Sequence, residues 1–274
     1  MLQMRAPIWT SAIVTMVLAT LTTGVTASTA WASSPRFGHD VSYPQCGSAL
    51  PTGSAFGIVG INNGRPFSTN PCLSRQYQWA AGLPSEAGVY VNTSNPAPNS
   101  AYYWPRSGSK DPALCKDSGS RTDPGCAYDY GWHAAADALA TGKELGKAVL
   151  GHTWWLDVET TNRWNGNGRT NTALLQGMYD YLRSHGVRKV GLYSTGFQWR
   201  EITGGYTTSS AREYQTAWKT HFTPRYPLHA APLWVATAGS SSTARNACST
   251  SFTGGPTRMV QFLGKDGFDT NLIC

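Results

Sequence analysis

Short apolar runs recur along this chain, each followed by a helix-like or loop segment, and that alternation constrains the fold more than any other feature. Eight runs read as strands: Phe37–Tyr43, Phe56–Asn62, Gly88–Asn92, Thr153–Glu159, Val190–Thr195, Leu233–Ala238, Met259–Leu263 and a short last one near Phe268–Leu272. Several are almost continuously apolar, as expected of parallel strands covered on both faces. The clearest helix is Thr172–His185, where Leu174, Leu175, Met178 and Leu182 form one stripe. Asn171 stands where a cap belongs, and Gly186 where a left-handed residue ends a helix. Two further helices are expected over Leu73–Ala81 and Tyr130–Leu145, the latter weakened by Gly142. The pattern specifies the α/β class. Eight strands suffice to close a single TIM-like β/α barrel, with a helical ring expected to be incomplete and loops stapled by disulfides.

Length and composition agree. Arg5, the apolar stretch Ile8–Val25 and the triplet Ala30-Trp31-Ala32 read as a secretory signal peptide over residues 1–32. The rival reading, a membrane anchor, fits less well because Thr and Ser dilute the apolar run. No other segment approaches the roughly 20 apolar residues of a membrane span. Residues 33–274 would be the barrel domain. These 242 residues are close to the ~250 typical of such a barrel. Charged residues make up only 14% of the chain, while Trp (11) and Tyr (13) are plentiful, which excludes disorder. The net charge of +7 suits attraction to an anionic polymer such as a cell wall. With no Lys/Arg run or nucleic-acid motif, nucleic acid is not an expected partner.

The six cysteines all follow the expected cleavage site. An even number in an exported chain implies disulfides. Of the fifteen pairings possible, the sequential set is favoured: Cys46–Cys72, Cys115–Cys126 and Cys248–Cys274. No Cys or His spacing fits a metal, and no cofactor is expected. Asn95–Gly125, rich in Pro, Ser, Gly and Asp, reads as a long loop able to wall one side of a cleft. Its Tyr102-Tyr103-Trp104 cluster is either a sugar-stacking wall or a tether for the loop.

The chemistry-bearing residues sit at strand ends. Trp154-Trp155-Leu156-Asp157-Val158-Glu159 closes on two carboxylates two positions apart, which share one face of a strand. Asp40 lies in the first strand and Asp269 in the last. In a barrel, catalytic groups come from the carboxyl ends of different strands. Clustered acids raise one another's pKa, as does burial against aromatic rings, and glycoside hydrolysis needs one carboxyl protonated beside another that is ionised.

In order and spacing, Asp40-Val41-Ser42, Leu156-Asp157-Val158-Glu159, Tyr193-Ser194, Pro232-Leu233-Trp234-Val235-Ala236, Gln261-Phe262 and Asp269-Thr270-Asn271 resemble the family-25 glycoside hydrolases, the Chalaropsis-type lysozymes. The resemblance spans nearly the whole mature chain. It implies a secreted, monomeric N-acetylmuramidase that cleaves β-1,4 bonds of peptidoglycan or another cell-wall glycan. Glu159 would be the general acid, and Asp157 would orient the substrate's N-acetyl group or stabilise positive charge. Asp40 and Asp269 would complete the carboxylate ring, and Tyr193, Trp234, Gln261, Asn271 and Asn92 would bind substrate. Two features depart from the family pattern. Val260 and Phe262 replace the Trp and Tyr that usually flank the glutamine, and Asn92 stands where an aromatic-His pair usually ends the third strand. Both departures bear on substrate identity. They also leave open a noncatalytic, glycan-binding barrel of a related family.

Each assignment has a plainer alternative. Asp157 and Glu159 could form a structural pair, Tyr193 and Trp234 could be core, and Asp40 an ordinary strand-end acid. His39, next to Asp40, points to the opposite face and is expected to pack outside the lumen. The sequon Asn92-Thr93-Ser94 is read as coincidental.

Overall fold

The computed structural model describes residues 37–98, 102–108, 112–264 and 267–274. The expected signal peptide lies outside them. Eight strands close into a barrel in chain order: β1 (Phe37–Val41), β2 (Gly57–Gly60), β3 (Gly88–Asn92), β4 (Thr153–Asp157), β5 (Lys189–Ser194), β6 (Leu233–Ala236), β7 (Thr257–Leu263) and β8 (Asp269–Ile273). β1 to β7 run parallel, whereas β8 is antiparallel to both of its neighbours. All eight expected strands are present, and Pro35–Cys274 forms one unit.

Strand alternation sorts side chains into two shells. Val41, Val59, Val89, Val91, Trp154, Leu156, Val190, Leu192, Val260 and Leu272 belong to the outer core beneath the helices. Phe56, Ile58, Trp155, Tyr193, Trp234 and Met259 fill the lumen. His39 faces outward as expected: its Nδ1 lies 2.7 Å from Ser54 Oγ and its ring meets Phe268 edge-on.

The helices are α1 (Leu73–Ala81), α2 (Pro124–Lys143), α3 (Gly168–Ser184), α4 (Gly196–Thr203), α5 (Ala211–Trp218) and α6 (Ser241–Ala247). Among the described residues no α-helix covers β1–β2 or β7–β8, so the ring is incomplete as expected. α2 starts six residues before Tyr130. Asp123 caps it by accepting from Cys126 N, and Pro124 fills the first turn. Asn167, not Asn171, caps α3, with its side chain accepting from Thr170 N at 3.1 Å. Asn171 is instead buried inside the helix, donating to Asn165 O and Ile202 O. Gly186 does adopt a left-handed φ of 95°. Gly142 leaves room for the Trp154 ring, which would lie 2.6 Å from a Cβ at that position.

The three sequential disulfides are formed. Cys115–Cys126 ties the long loop to α2, and Asp129 clamps the same loop by accepting from Leu114 N and Cys115 N. Cys248–Cys274 ties β8 to the end of α6.

Candidate active site

The carboxyl ends of β1 to β7 open on a cavity of about 390 Å³. Asp40, Asp157, Glu159 and Asp269 all line it, with Tyr193, Trp234, Gln261 and Asn92. Chain segments more than 200 residues apart thus deliver their acids to one place. Asp269 arrives there differently from the other three. It opens β8 rather than ending it, and only the reversed direction of β8 carries it to this mouth. Asp157 is the last residue of β4, and Glu159 follows two positions later, beyond the strand.

A hydrogen-bonded chain holds the floor. Tyr193 OH donates to Gln261 Oε1 (2.7 Å), and Gln261 Nε2 donates to Asp40 Oδ1 (3.1 Å). Asn271 Nδ2 donates to the same Asp40 oxygen at 2.6 Å, while Trp234 Nε1 donates to Asn271 Oδ1 at 2.9 Å. Asn271, expected to contact substrate, is fully buried and does not line the cavity. It supports Asp40 from below.

On the opposite wall Asn92 Nδ2 donates to Asp157 Oδ2. Asn92 is itself held at its backbone by Asn62, whose Oδ1 accepts from Asn92 N and whose Nδ2 donates to Asn92 O, both at 3.0 Å. Thr93 Oγ1 and N both bond Asp157 O. The sequon is therefore structural, with Thr93 buried. Three buried wall atoms have no hydrogen-bond partner within the protein: Asn92 Oδ1, Asp157 Oδ1 and Asn162 Nδ2. Unsatisfied groups of this kind are rare in native proteins and call for an explanation.

Burial raises all four carboxyl pKa values. Asp40 is pushed from 3.8 to about 7 by desolvation and then by the charge of Asp269, against the pull of the Asn271 and Gln261 amides. Asp157, only 3% exposed, is raised well above its usual range by burial and then by Glu159. Glu159 is raised by burial, with the charge of Asp269 adding to the effect and hydrogen bonds from Asp157 and Gln198 opposing it. Asp269 is raised by burial. Among the described residues no salt bridge joins a cation to this ring; those formed all lie elsewhere. Nor does any group of His, Cys, Asp and Glu there fit a metal ion.

Sequence reasoning missed Ser42, Tyr43, Tyr90 and Asn162 as cavity residues, and Asn62 as a support. Tyr90 was detectable, because it sits two positions before Asn92 and shares its face. Asn62 was harder to find, since its role is a clamp on another strand's backbone. Val260 and Phe262 do not flank the cavity as substrate residues. Both belong to the outer core, so that departure from the family pattern alters packing beneath the helices.

Fold and site together define a carboxylate-ringed β/α barrel with a polar mouth. Residues 140–223 match the family model described as "Lysozyme-like protein 1". The "Probable GH family 25 lysozyme 4" of Dictyostelium discoideum is 39% identical over 56 residues, which is 20% of this chain and 25% of that relative. The match thus spans about a quarter of the relative's length. Among solved structures, a muramidase from Trichobolus zukalii aligns with a TM-score of 0.51 at 16% identity, covering 87% of this chain and 93% of that one. A family-25 lysozyme from Aspergillus fumigatus aligns at 0.52 and 14% identity, covering 88% and 94%. At such identities the structural likeness is one of fold. The resemblance to the family-25 glycoside hydrolases, read from the order of the motifs, is borne out.

Proposed function

We propose that this protein is a secreted glycosidase that hydrolyses β-1,4 bonds of peptidoglycan, acting as an N-acetylmuramidase. The observation that carries the reading is the convergence of Asp40, Asp157, Glu159 and Asp269 on one cavity, with no salt bridge to any of them among the described residues. Glu159 is the general acid. It is half-buried at the mouth, open to a departing sugar oxygen. Burial raises both its pKa and that of Asp157, so the hydrogen-bonded pair retains a proton, and Glu159 is the member placed to deliver it. As the glycosidic bond breaks, the proton of Glu159 passes to that oxygen, and positive charge develops on the sugar ring. Asp157 lies closest in sequence to the acid and offers a free buried oxygen, Oδ1. That oxygen accepts the N–H of an N-acetyl group or faces the developing charge. Water then completes hydrolysis and returns a proton to Glu159. Asn92, Asn162, Tyr193 and Gln261 present polar groups to the sugar, and Trp234 and Tyr90 supply an apolar floor.

Export through residues 1–32 is part of the proposal. It is supported by three formed disulfides, which persist in oxidising compartments.

The test is digestion of purified cell walls by the wild type and by Glu159→Gln, with mass spectrometry of the soluble fragments. Wild-type protein should release fragments ending in reducing N-acetylmuramic acid. The variant should be about 100- to 10,000-fold slower. Equal rates would remove Glu159 from the mechanism. Binding without new reducing ends would establish the noncatalytic barrel instead.

A further inference from the structure

The aromatic cluster on the long loop divides into two parts with opposite environments. Trp104 is half-buried, donates from Nε1 to Ser118 O at 3.1 Å and packs on Tyr130 of α2. It tethers the loop. Tyr102 and Tyr103 are 95% and 51% exposed. Tyr103 stacks on Phe67 with ring centroids 4.0 Å apart and planes 12° from parallel, and Tyr102 meets Tyr103 edge-on at 5.1 Å.

Phe67 belongs to the loop after β2, which also reaches the cavity. Gly64 lines the cavity beneath Tyr43, a lining residue that is 41% exposed. A Cβ on Gly64 would come within 2.9 Å of the Tyr43 ring, so glycine permits that ring to approach the loop closely. Phe67 lies three positions after Gly64, a span of at most about 10 Å. The turn between them is closed by Asn63 N donating to Ser68 Oγ and by Ser68 Oγ donating to Arg65 O. Phe67 takes a left-handed φ of 55°, an outlier for a bulky side chain. Its ring is held between Tyr103 and Tyr130.

Tyr43 lines the cavity, and Tyr103 and Tyr102 stack outward from Phe67, on the loop whose Gly64 also lines it; together these exposed rings make a discontinuous aromatic row. Exposed tyrosines offer flat faces with a polar tip at low entropic cost. We propose that this row is an extended subsite for a polymeric glycan, stacking on pyranose rings of the strand outside the cavity. This rests on the glycan-hydrolase reading but does not need hydrolysis. It makes Tyr102 and Tyr103 determinants of polymer over oligomer.

The test compares Glu159→Gln with the triple variant Glu159→Gln/Tyr102→Ala/Tyr103→Ala. Affinity is measured for pelleted peptidoglycan sacculi and for a soluble tetrasaccharide cut from them. Affinity for sacculi should fall roughly tenfold, as expected for two lost ring contacts, while that for the tetrasaccharide changes by less than about twofold. Phe67→Ala, which removes the support of Tyr103, should weaken sacculus binding in the same direction. Undiminished sacculus binding by the triple variant, or an equal loss for both ligands, would overturn the proposal. If sacculi are bound through these tyrosines but wild-type protein releases no reducing ends, the subsite stands and the muramidase reading fails.

Discussion

Replacing Asp40 by Asn tests the electrostatics of the site without relying on any activity. The side chains are nearly the same shape, and the amide oxygen can still accept from Asn271 and Gln261, which bond Asp40 Oδ1 in the native protein. What changes is ionisation. Asp40 titrates near 7 when folded and near 3.8 when not. Below pH 3.8 it is protonated in both states and contributes nothing to the pH dependence. Between these values the folded protein holds a proton that the unfolded chain has lost, so stability falls as pH rises, by about 1.4 kcal/mol per pH unit. Over about three units the loss reaches roughly 4 kcal/mol, complete above pH 7, and that is an upper bound given water at the cavity mouth. Asp40→Asn escapes this loss. Urea unfolding at intervals from pH 4 to 8 should show the variant and wild type alike near pH 4, with the variant gaining 2–4 kcal/mol by pH 8 at unchanged m-value. In melting temperature the gain is on the order of 10 °C. A stability difference that does not vary with pH, or a variant weaker at pH 8, would refute the assignment of Asp40 as a desolvated acid whose folded pKa is raised.

Two further outcomes follow from packing and cross-linking. The Cys248–Cys274 bridge encloses a segment with sequence separation 26, so Cys248→Ser/Cys274→Ser should cost about 3.5 kcal/mol in chemical denaturation. The same variant should lose wall-digesting activity, because β8 carries Asp269 and Asn271. Full activity with unchanged stability would show that β8 is held without the bridge. Gly177→Ala places a Cβ 2.2 Å from Tyr128 O, where α3 crosses α2. Parting the helix backbones should cost roughly 1–3 kcal/mol, outweighing the ~1 kcal/mol gained in helix propensity. A raised urea midpoint would contradict that close approach.

What the amino-acid order determined was local or periodic. Apolar runs marked the strands because most of them are covered on both faces. The i, i+2 rule set Asp157 and Glu159 together and sent His39 outward, and the even cysteine count implied disulfides, whose sequential pairing the structure contains. Where the order was ambiguous, tertiary contacts decided. Asn167 won the α3 cap over Asn171 because Asn171 found buried carbonyl partners in other segments. The direction of β8 is not encoded in its own residues. It follows from the connection after β7 being only five residues long, and it alone brings Asp269 to the shared mouth. Alternation alone turned Val260 and Phe262 away from Gln261, whereas tertiary packing separated Tyr102 and Tyr103 from Trp104. It also made Asn62 and Asn271 supports for acids on strands remote in sequence. A strand's faces are written in its own alternation, but what lies across from each face depends on which segments the closed barrel sets side by side.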